Sequence, residues 1–223
     1  MKTLQNMLAV LILLLVGSTS FAGDVQKFYV DDPVGRNSVT FKSEAPLEDI
    51  VGTTSKITGY IDFNPDDPMN SGMAEFSVPV KSMTTGIPVR DEHMQSAGWL
   101  NAETYPEIKI KLMSVKKADL VKEMDGTKTF DLTVAGEFTL HVITKPVEIV
   151  ARATYMDDNE MTKMRLPGNI LAIRTDFAIN LSDYGITGPQ GMNVIGAKLA
   201  EQIGIEVSLF SSTVKAEMPQ KGK

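Results

Sequence analysis

Alternation of apolar and polar side chains with a period of two constrains the fold of this chain more than any other feature. It is clearest over residues 130–140, where apolar residues and one glycine occupy every second position and polar residues fill most of the positions between them. The same pattern recurs over residues 37–43, 57–63, 108–112, 147–155 and 171–181. Successive side chains of a β-strand point to opposite faces, so each segment predicts a strand with one buried and one solvated face.

Short turns separate these segments. Three further segments, near residue 28 and over residues 73–80 and 204–210, bring the predicted strands to eight or nine. Parallel neighbours need connections of about a dozen residues or more, so we expect a largely antiparallel sheet. Two stretches break the alternation: residues 88–99 favour a short helix or a capping loop, and residues 196–204 favour a helical turn.

Eight or more strands with one apolar face each must bury that face. A second packed sheet and a closed barrel both achieve this, and a barrel also removes the exposed edges. An eight-stranded barrel is filled by its own side chains or holds one small elongated ligand. Inward positions at Gly59, Gly136 and Ala151 favour free space inside, whereas the periodicity alone favours an ordinary packed core.

Charge and composition exclude several functional classes. The formal net charge is -6, so we expect no extended cationic surface for nucleic acid. The 223 residues contain no cysteine, which excludes disulfide scaffolds, thiol nucleophiles, Cys-ligated zinc and a lipidated cysteine anchor. The sequence also has no phosphate-binding glycine loop and no G-x-S-x-G elbow, so it does not predict an enzyme.

The first residues have the composition of an export signal. Lys2 precedes ten consecutive apolar residues, 7–16, and small residues at 20 and 22 form a cleavage site. Such a stretch is too short to span a membrane, because a spanning helix needs about 20 residues. We expect a cleaved signal peptide over residues 1–22, one barrel domain over residues 23–212, a flexible tail over residues 213–223 and no membrane span.

A series of motifs resembles the YceI-like family of exported proteins. The central run comprises VKSMTTG at 80–86, RDEHM at 90–94, WL at 99–100 and YPEI at 105–108. Residues 37–41 and 59–68 extend the resemblance upstream, and residues 136–147 and 182–186 extend it downstream. The chain departs from the family pattern at Asn37, where His is frequent, at Val142, where Gly is frequent, and in a longer stretch over residues 191–204.

The resemblance implies an all-β fold: a lipocalin-like, antiparallel, eight-stranded β-barrel with one or two short helices, located in the periplasm. It also implies an apolar tunnel that holds a long-chain isoprenoid, an isoprenoid quinone or a fatty amphiphile. Homodimers occur among such proteins. Under this hypothesis the bound lipid is the partner, and no cofactor, metal or nucleic acid is expected.

Two groups of residues are candidates for ligand contact. We expect the tunnel wall to include Phe41, Ile61, Phe63, Phe138, Ile149, Ile173 and Phe177. At the tunnel mouth, Arg90 and His93 could donate hydrogen bonds to a polar head group, whereas Arg90 and Asp91 could equally fix the loop through backbone contacts. Trp99 and Tyr105 either close the apolar end or anchor their segment on the barrel.

The remaining chemistry in the sequence is sparse. His93 and His141 lack the close spacing of a zinc site, so we interpret them as solvated or loop residues. The acidic turn at 64–70 lacks the glycine and glutamate positions of a calcium-binding loop. No pair of carboxylates stands out for glycoside hydrolysis.

Three functional hypotheses follow. The first is a non-catalytic periplasmic carrier of a long-chain lipid. The second is a stress-response interaction module with a filled barrel and no ligand, which would lack an internal void of a few hundred Å³. The third is a hydrolase or isomerase acting on lipid-linked substrates, which would need Asp91 or His93 for activity.

Overall fold

The computed structural model describes residues 23–32, 34–189 and 194–216. Its ten strands are β1 Gln26–Tyr29, β2 Ser38–Glu44, β3 Asp49–Thr54, β4 Thr58–Phe63, β5 Ala74–Pro79, β6 Glu107–Met124, β7 Thr127–Leu140, β8 Ile143–Met156, β9 Ile170–Asn180 and β10 Gln202–Ser212. Two short helices, α1 Pro88–Gln95 and α2 Glu160–Lys163, and 3-10 turns at Pro68–Asn70, Val80–Ser82 and Leu181–Tyr184 complete the described elements. The predicted signal peptide, residues 1–22, lies outside the described residues.

The strands form one closed antiparallel barrel. Neighbouring strands follow the order β1-β4-β5-β6-β7-β8-β9-β10, and the pairing of Tyr29 with Ser212 joins β10 back to β1. The β2–β3 hairpin continues the same wall, because β2 also pairs with β10. Segments β1 and β2 thus share one position in the barrel, and β3 and β4 share the next. Ten strand segments therefore occupy eight barrel positions, which confirms the predicted eight-stranded barrel.

Asn37 bridges the break between β1 and β2. Its side chain is 2% exposed, its Nδ2 donates to the carbonyl of Val30 at 2.7 Å, and its Oδ1 accepts from the Phe210 backbone amide at 2.7 Å. These bonds replace ladder hydrogen bonds that the interrupted strand cannot make. The residue that departs from the family pattern here has a structural role.

Two inward-facing glycines allow the neighbouring strand to approach their backbone closely. A Cβ on Gly136 would lie 2.1 Å from the Lys111 carbonyl oxygen. A Cβ on Gly59, whose φ is +148°, would lie 2.0 Å from the Glu75 carbonyl oxygen. The prediction that these two glycines create free space is wrong, since a neighbouring strand occupies that space. Ala151 does border the internal cavity.

Packed side chains close one end of the barrel. Phe28 and Leu171 are fully buried, and Phe28 meets Tyr155 edge to face with ring centroids 6.2 Å apart. Burial, together with the hydrogen bond from Tyr155 to Asp157, raises the pKa of Tyr155 to about 12. Tyr155 therefore stays neutral within this packed cluster of side chains.

Only one of the two stretches without alternation contains a regular helix. Of the two alternatives predicted for residues 88–99, a short helix and a capping loop, the structure has the helix, α1, over residues 88–95. Residues 196–204 form no regular helix: a single turn, in which the Lys198 amide donates to the Val194 carbonyl at 2.9 Å, links a bridge between Ile195 and Leu199, and β10 already begins at Gln202. Gly196 has a φ of +84°, which a right-handed helix does not accommodate.

Candidate functional site

The barrel interior contains two adjoining cavities. The inner chamber has a volume of about 170 Å³, and the outer chamber has a volume of about 300 Å³. All the residues predicted for the tunnel wall border the inner chamber: Phe41, Ile61, Phe63, Phe138, Ile149, Ile173 and Phe177. Their contact with a ligand remains a prediction.

Period-two alternation explains why the chamber walls are apolar. In β7, Leu132, Val134 and Phe138 project inward while Thr133 and Glu137 do not line either chamber. Each strand contributes such a row, and closure of the barrel aims all the rows at one axis. The interior is therefore an apolar tunnel built from the same residues that specify the strands.

The inner chamber contains no unpaired charge among its described lining residues. Asp62 and Lys109 border it, but Asp62 pairs with Lys27 at 2.9 Å and Lys109 pairs with Glu107 at 3.0 Å. Thr175 borders the chamber as well, and its hydroxyl donates a hydrogen bond to the Val150 carbonyl at 2.7 Å. These polar atoms already have partners, so the chamber offers a ligand mainly apolar contacts.

Five side chains border both chambers, and we call this shared ring of residues the waist. It consists of the side chains that border both: Phe41, Met83, Ile108, Phe138 and Ile205. Phe138 makes edge-to-face contacts with Phe177 at 5.9 Å and with Tyr184 at 5.6 Å between ring centroids. Such contacts fix the orientation of the Phe138 ring.

Polar groups concentrate in the outer chamber. Its lining includes Ser43, Glu48, Thr85, Arg90, His93 and Lys198 beside an apolar wall. Arg90 forms an ion pair with Glu48, which joins α1 to the turn between β2 and β3. Arg90 and His93, two of the predicted mouth residues, thus border the cavity, and both carry side-chain N–H groups.

Asp91 has a different position from its neighbours. Its carboxylate accepts hydrogen bonds from the Thr85 amide and hydroxyl, both at 2.7 Å, and from the Thr84 hydroxyl. Burial raises the pKa of Asp91, but the hydrogen bonds from Thr84 and Thr85 outweigh this effect and leave the pKa below its ordinary value. The contacts fasten the start of α1, and Asp91 does not line the outer chamber.

The segment around α1 lies over the polar end of the barrel. Thr84 pairs with Thr53 of β3 through two backbone hydrogen bonds of 2.8 and 3.0 Å, which lays this segment along the barrel wall. α1 itself has no fully buried residue. Its position across the outer chamber therefore depends on the contacts of Asp91 and Arg90 and on the following segment.

Trp99 and Tyr105 have separate roles. Trp99 borders the outer chamber. Tyr105 does not, and its ring stacks on His141 with centroids 4.8 Å apart. The Nε2 atom of His141 lies 2.8 Å from the Trp99 carbonyl oxygen, within hydrogen-bond distance. His141 lies in the β7–β8 turn, in agreement with its prediction as a loop residue, and it anchors the Trp99 segment from there.

Metal ligands do not cluster in the described residues. Over residues 23–32, 34–189 and 194–216, no three His, Asp or Glu side chains come together in a group that could hold a metal ion. No helix in that part of the chain has the length and apolarity needed to cross a membrane.

The fold and the cavity define a class: a lipocalin-like antiparallel barrel around an apolar tunnel with polar groups at one end. Comparison with known proteins gives the family. The family model for the YceI-like domain matches residues 29–210, and the chain belongs to this family.

Relatives agree with this assignment. A UPF0312 protein of Pseudomonas savastanoi pv. phaseolicola is 33% identical over 163 residues, which cover 72% of this chain and 77% of that protein. A UPF0312 protein of Pseudomonas fluorescens is 33% identical over 171 residues, which cover 74% of this chain and 81% of that protein.

Solved structures share the fold at low sequence identity. A polyisoprenoid binding domain from Saccharophagus degradans superposes with a TM-score of 0.60 at 16% identity, over 85% of this chain and 99% of that one. BcnA of Burkholderia cenocepacia superposes with a TM-score of 0.59 at 15% identity, over 80% and 98%.

Proposed function

We propose that this protein binds a long-chain amphiphile, an isoprenoid, an isoprenoid quinone or a fatty chain, within the barrel and carries it through the periplasm without chemical change. The observation that supports the proposal is the apolar tunnel itself, with polar groups gathered at one end. An amphiphile has the matching distribution: its chain fits the two chambers, and its head group meets Arg90 and His93.

The physical gain comes from withdrawing the chain from water. Each methylene of the ligand that is buried contributes about 0.8 kcal/mol to the binding free energy, so affinity increases with the length of chain inside the barrel. The head group adds orientation more than affinity, because Arg90 already has a carboxylate partner in Glu48. The proposed ligand therefore enters with its chain first.

Two further observations support the carrier role. One structural neighbour is a polyisoprenoid binding domain, so a barrel of this fold accommodates such a chain. The predicted signal peptide supports a periplasmic location, where a carrier would shield an insoluble molecule from water. The cavities also argue against the alternative of a barrel filled by its own side chains.

Substitution of Ile149 tests the proposal. Ile149 is 3% exposed and borders the inner chamber, so Ile149→Arg places a charge in the tunnel. We expect loss of uptake of a fluorescent long-chain fatty acid, parinaric acid, by a protein that still has the wild-type circular dichroism spectrum. Val150→Arg is the matched control: its side chain is 66% exposed on the outer face, and uptake should be unchanged.

A second variant separates blocking from unfolding. Ile149→Trp fills the chamber without adding a charge, and it should also reduce uptake. Normal uptake by both folded Ile149 variants would contradict a ligand site in the inner chamber.

A further inference from the structure

The two aromatic rings of the waist, Phe138 and Phe41, are held in different ways. Phe138 is held by Phe177 and Tyr184, as described above. Phe41 lies on β2 directly opposite Gly52 of β3, and Gly52 is buried on the inner face. The ring of Phe41 has no aromatic stacking partner among the described residues, so its position depends on the surface beneath it.

Gly52 provides that surface. A Cβ on Gly52 would lie 2.0 Å from Cζ and 2.5 Å from Cε1 of the Phe41 ring, which is closer than two non-bonded carbon atoms can approach. The ring therefore lies flat over the glycine backbone and against the barrel wall. Any larger residue at position 52 would turn the ring away from the wall and toward the tunnel axis.

We infer that Phe41 and Gly52 determine the ligand class: a single flexible chain passes the waist into the inner chamber, and a rigid fused-ring molecule does not. This inference rests on the proposed function, because it concerns the same tunnel. The waist side chains lie at the border between the inner chamber, about 170 Å³, and the outer chamber, about 300 Å³. The pair then sets how much of a long chain the protein can bury.

A series of straight-chain acids, octanoate, dodecanoate, palmitate and stearate, measures the depth that a chain reaches. In the wild type, affinity should rise by up to about fourfold for each methylene that enters the tunnel. In Gly52→Val the turned ring closes the waist, so the rise should stop at the acid that fills the outer chamber. Palmitate should then bind no more tightly than that shorter acid.

Gly204→Val is the matched control on the neighbouring strand β10. A Cβ at this position meets its nearest atoms at 3.9 and 4.0 Å, and its neighbours Ile203 and Ile205 take the inward positions. This variant should retain the wild-type dependence on chain length. The double variant Gly52→Val with Phe41→Ala should recover the affinity for palmitate, since it lacks the obstructing ring.

Phe41→Ala alone keeps the inference testable if Gly52→Val does not fold. Removal of the ring widens the waist, and the variant should bind cholesterol, which the wild type should exclude. Binding of cholesterol by the wild type, or an unchanged chain-length dependence in folded Gly52→Val, would overturn the inference while leaving the proposed function intact. Failure of every acid to bind the wild type would instead contradict the proposed function itself.

Discussion

Asp32 holds the loop that interrupts the first barrel strand. Its side chain is 1% exposed and accepts hydrogen bonds from Arg36 at Nε, 3.0 Å, and Nη2, 2.8 Å, and from the Arg36 and Val34 amides. The Arg36 side chain then donates to the Arg165 carbonyl at 2.9 Å, which ties this loop to the connection between β8 and β9. One carboxylate therefore organises the closed end of the barrel.

We predict that Asp32→Asn lowers the free energy of unfolding by about 2 kcal/mol at neutral pH, because charge-assisted hydrogen bonds contribute roughly this much. The hydrogen bonds from Arg36 lower the pKa of Asp32 below its ordinary value of 3.8. The stabilisation is therefore complete above that pH and is lost as the pH falls through the lower pKa of the folded state. Urea denaturation of both proteins at several pH values measures the difference.

Asp31→Asn serves as the control for this prediction, since Asp31 forms no ion pair among the described residues and should cost little stability. A difference between wild type and Asp32→Asn that persists unchanged in strong acid would contradict the assigned role.

At the scale of elements, α1 depends on Asp91 for its position. Loss of the charge-assisted bonds to Thr84 and Thr85 in Asp91→Ala should weaken the start of the helix by about 1.5 kcal/mol. Amide hydrogen exchange in α1 should then accelerate roughly tenfold while exchange in β7 stays unchanged. Glu92→Ala, at an exposed position of the same helix, should leave the exchange unaltered. Equal acceleration in both variants would show that Asp91 is not the fastening residue.

Most strands could be predicted from the sequence, and the exceptions have physical causes. β6 continues to Met124, but register shifts between Leu112 and Ser114, and twice more before residue 122, insert extra residues and invert the alternation each time. β3 was not predicted, because its central inward position is Gly52, and a glycine adds no apolar side chain to the alternating pattern.

The tunnel wall was more predictable than its mouth for a related reason. Wall residues follow the strand alternation, so a pattern within each segment identifies them. Mouth contacts join distant segments: Arg90 pairs with Glu48, and His141 contacts the Trp99 carbonyl, each across 42 residues. No local pattern in the sequence encodes such partners.

At the scale of the whole molecule, an apolar cavity makes stability depend on its contents. Side chains that line a void lack contact partners on one side, so the empty barrel forgoes dispersion energy that a bound chain restores. A ligand that binds only the folded barrel also stabilises it by mass action. The free energy of unfolding should therefore be larger for the barrel with a bound chain than for the empty barrel.

The most direct test of this account is the mass of the protein as cells make it. Full-length protein expressed in a Gram-negative host and recovered from the periplasm should begin at Gly23, which tests the predicted cleavage after Ala22. Native mass spectrometry should then show a polypeptide carrying one hydrophobic molecule, and solvent extraction should release that molecule from the wild type but not from Ile149→Arg. A wild-type mass equal to the bare polypeptide, with no lipid in the extract and no uptake of added palmitate, would contradict the account.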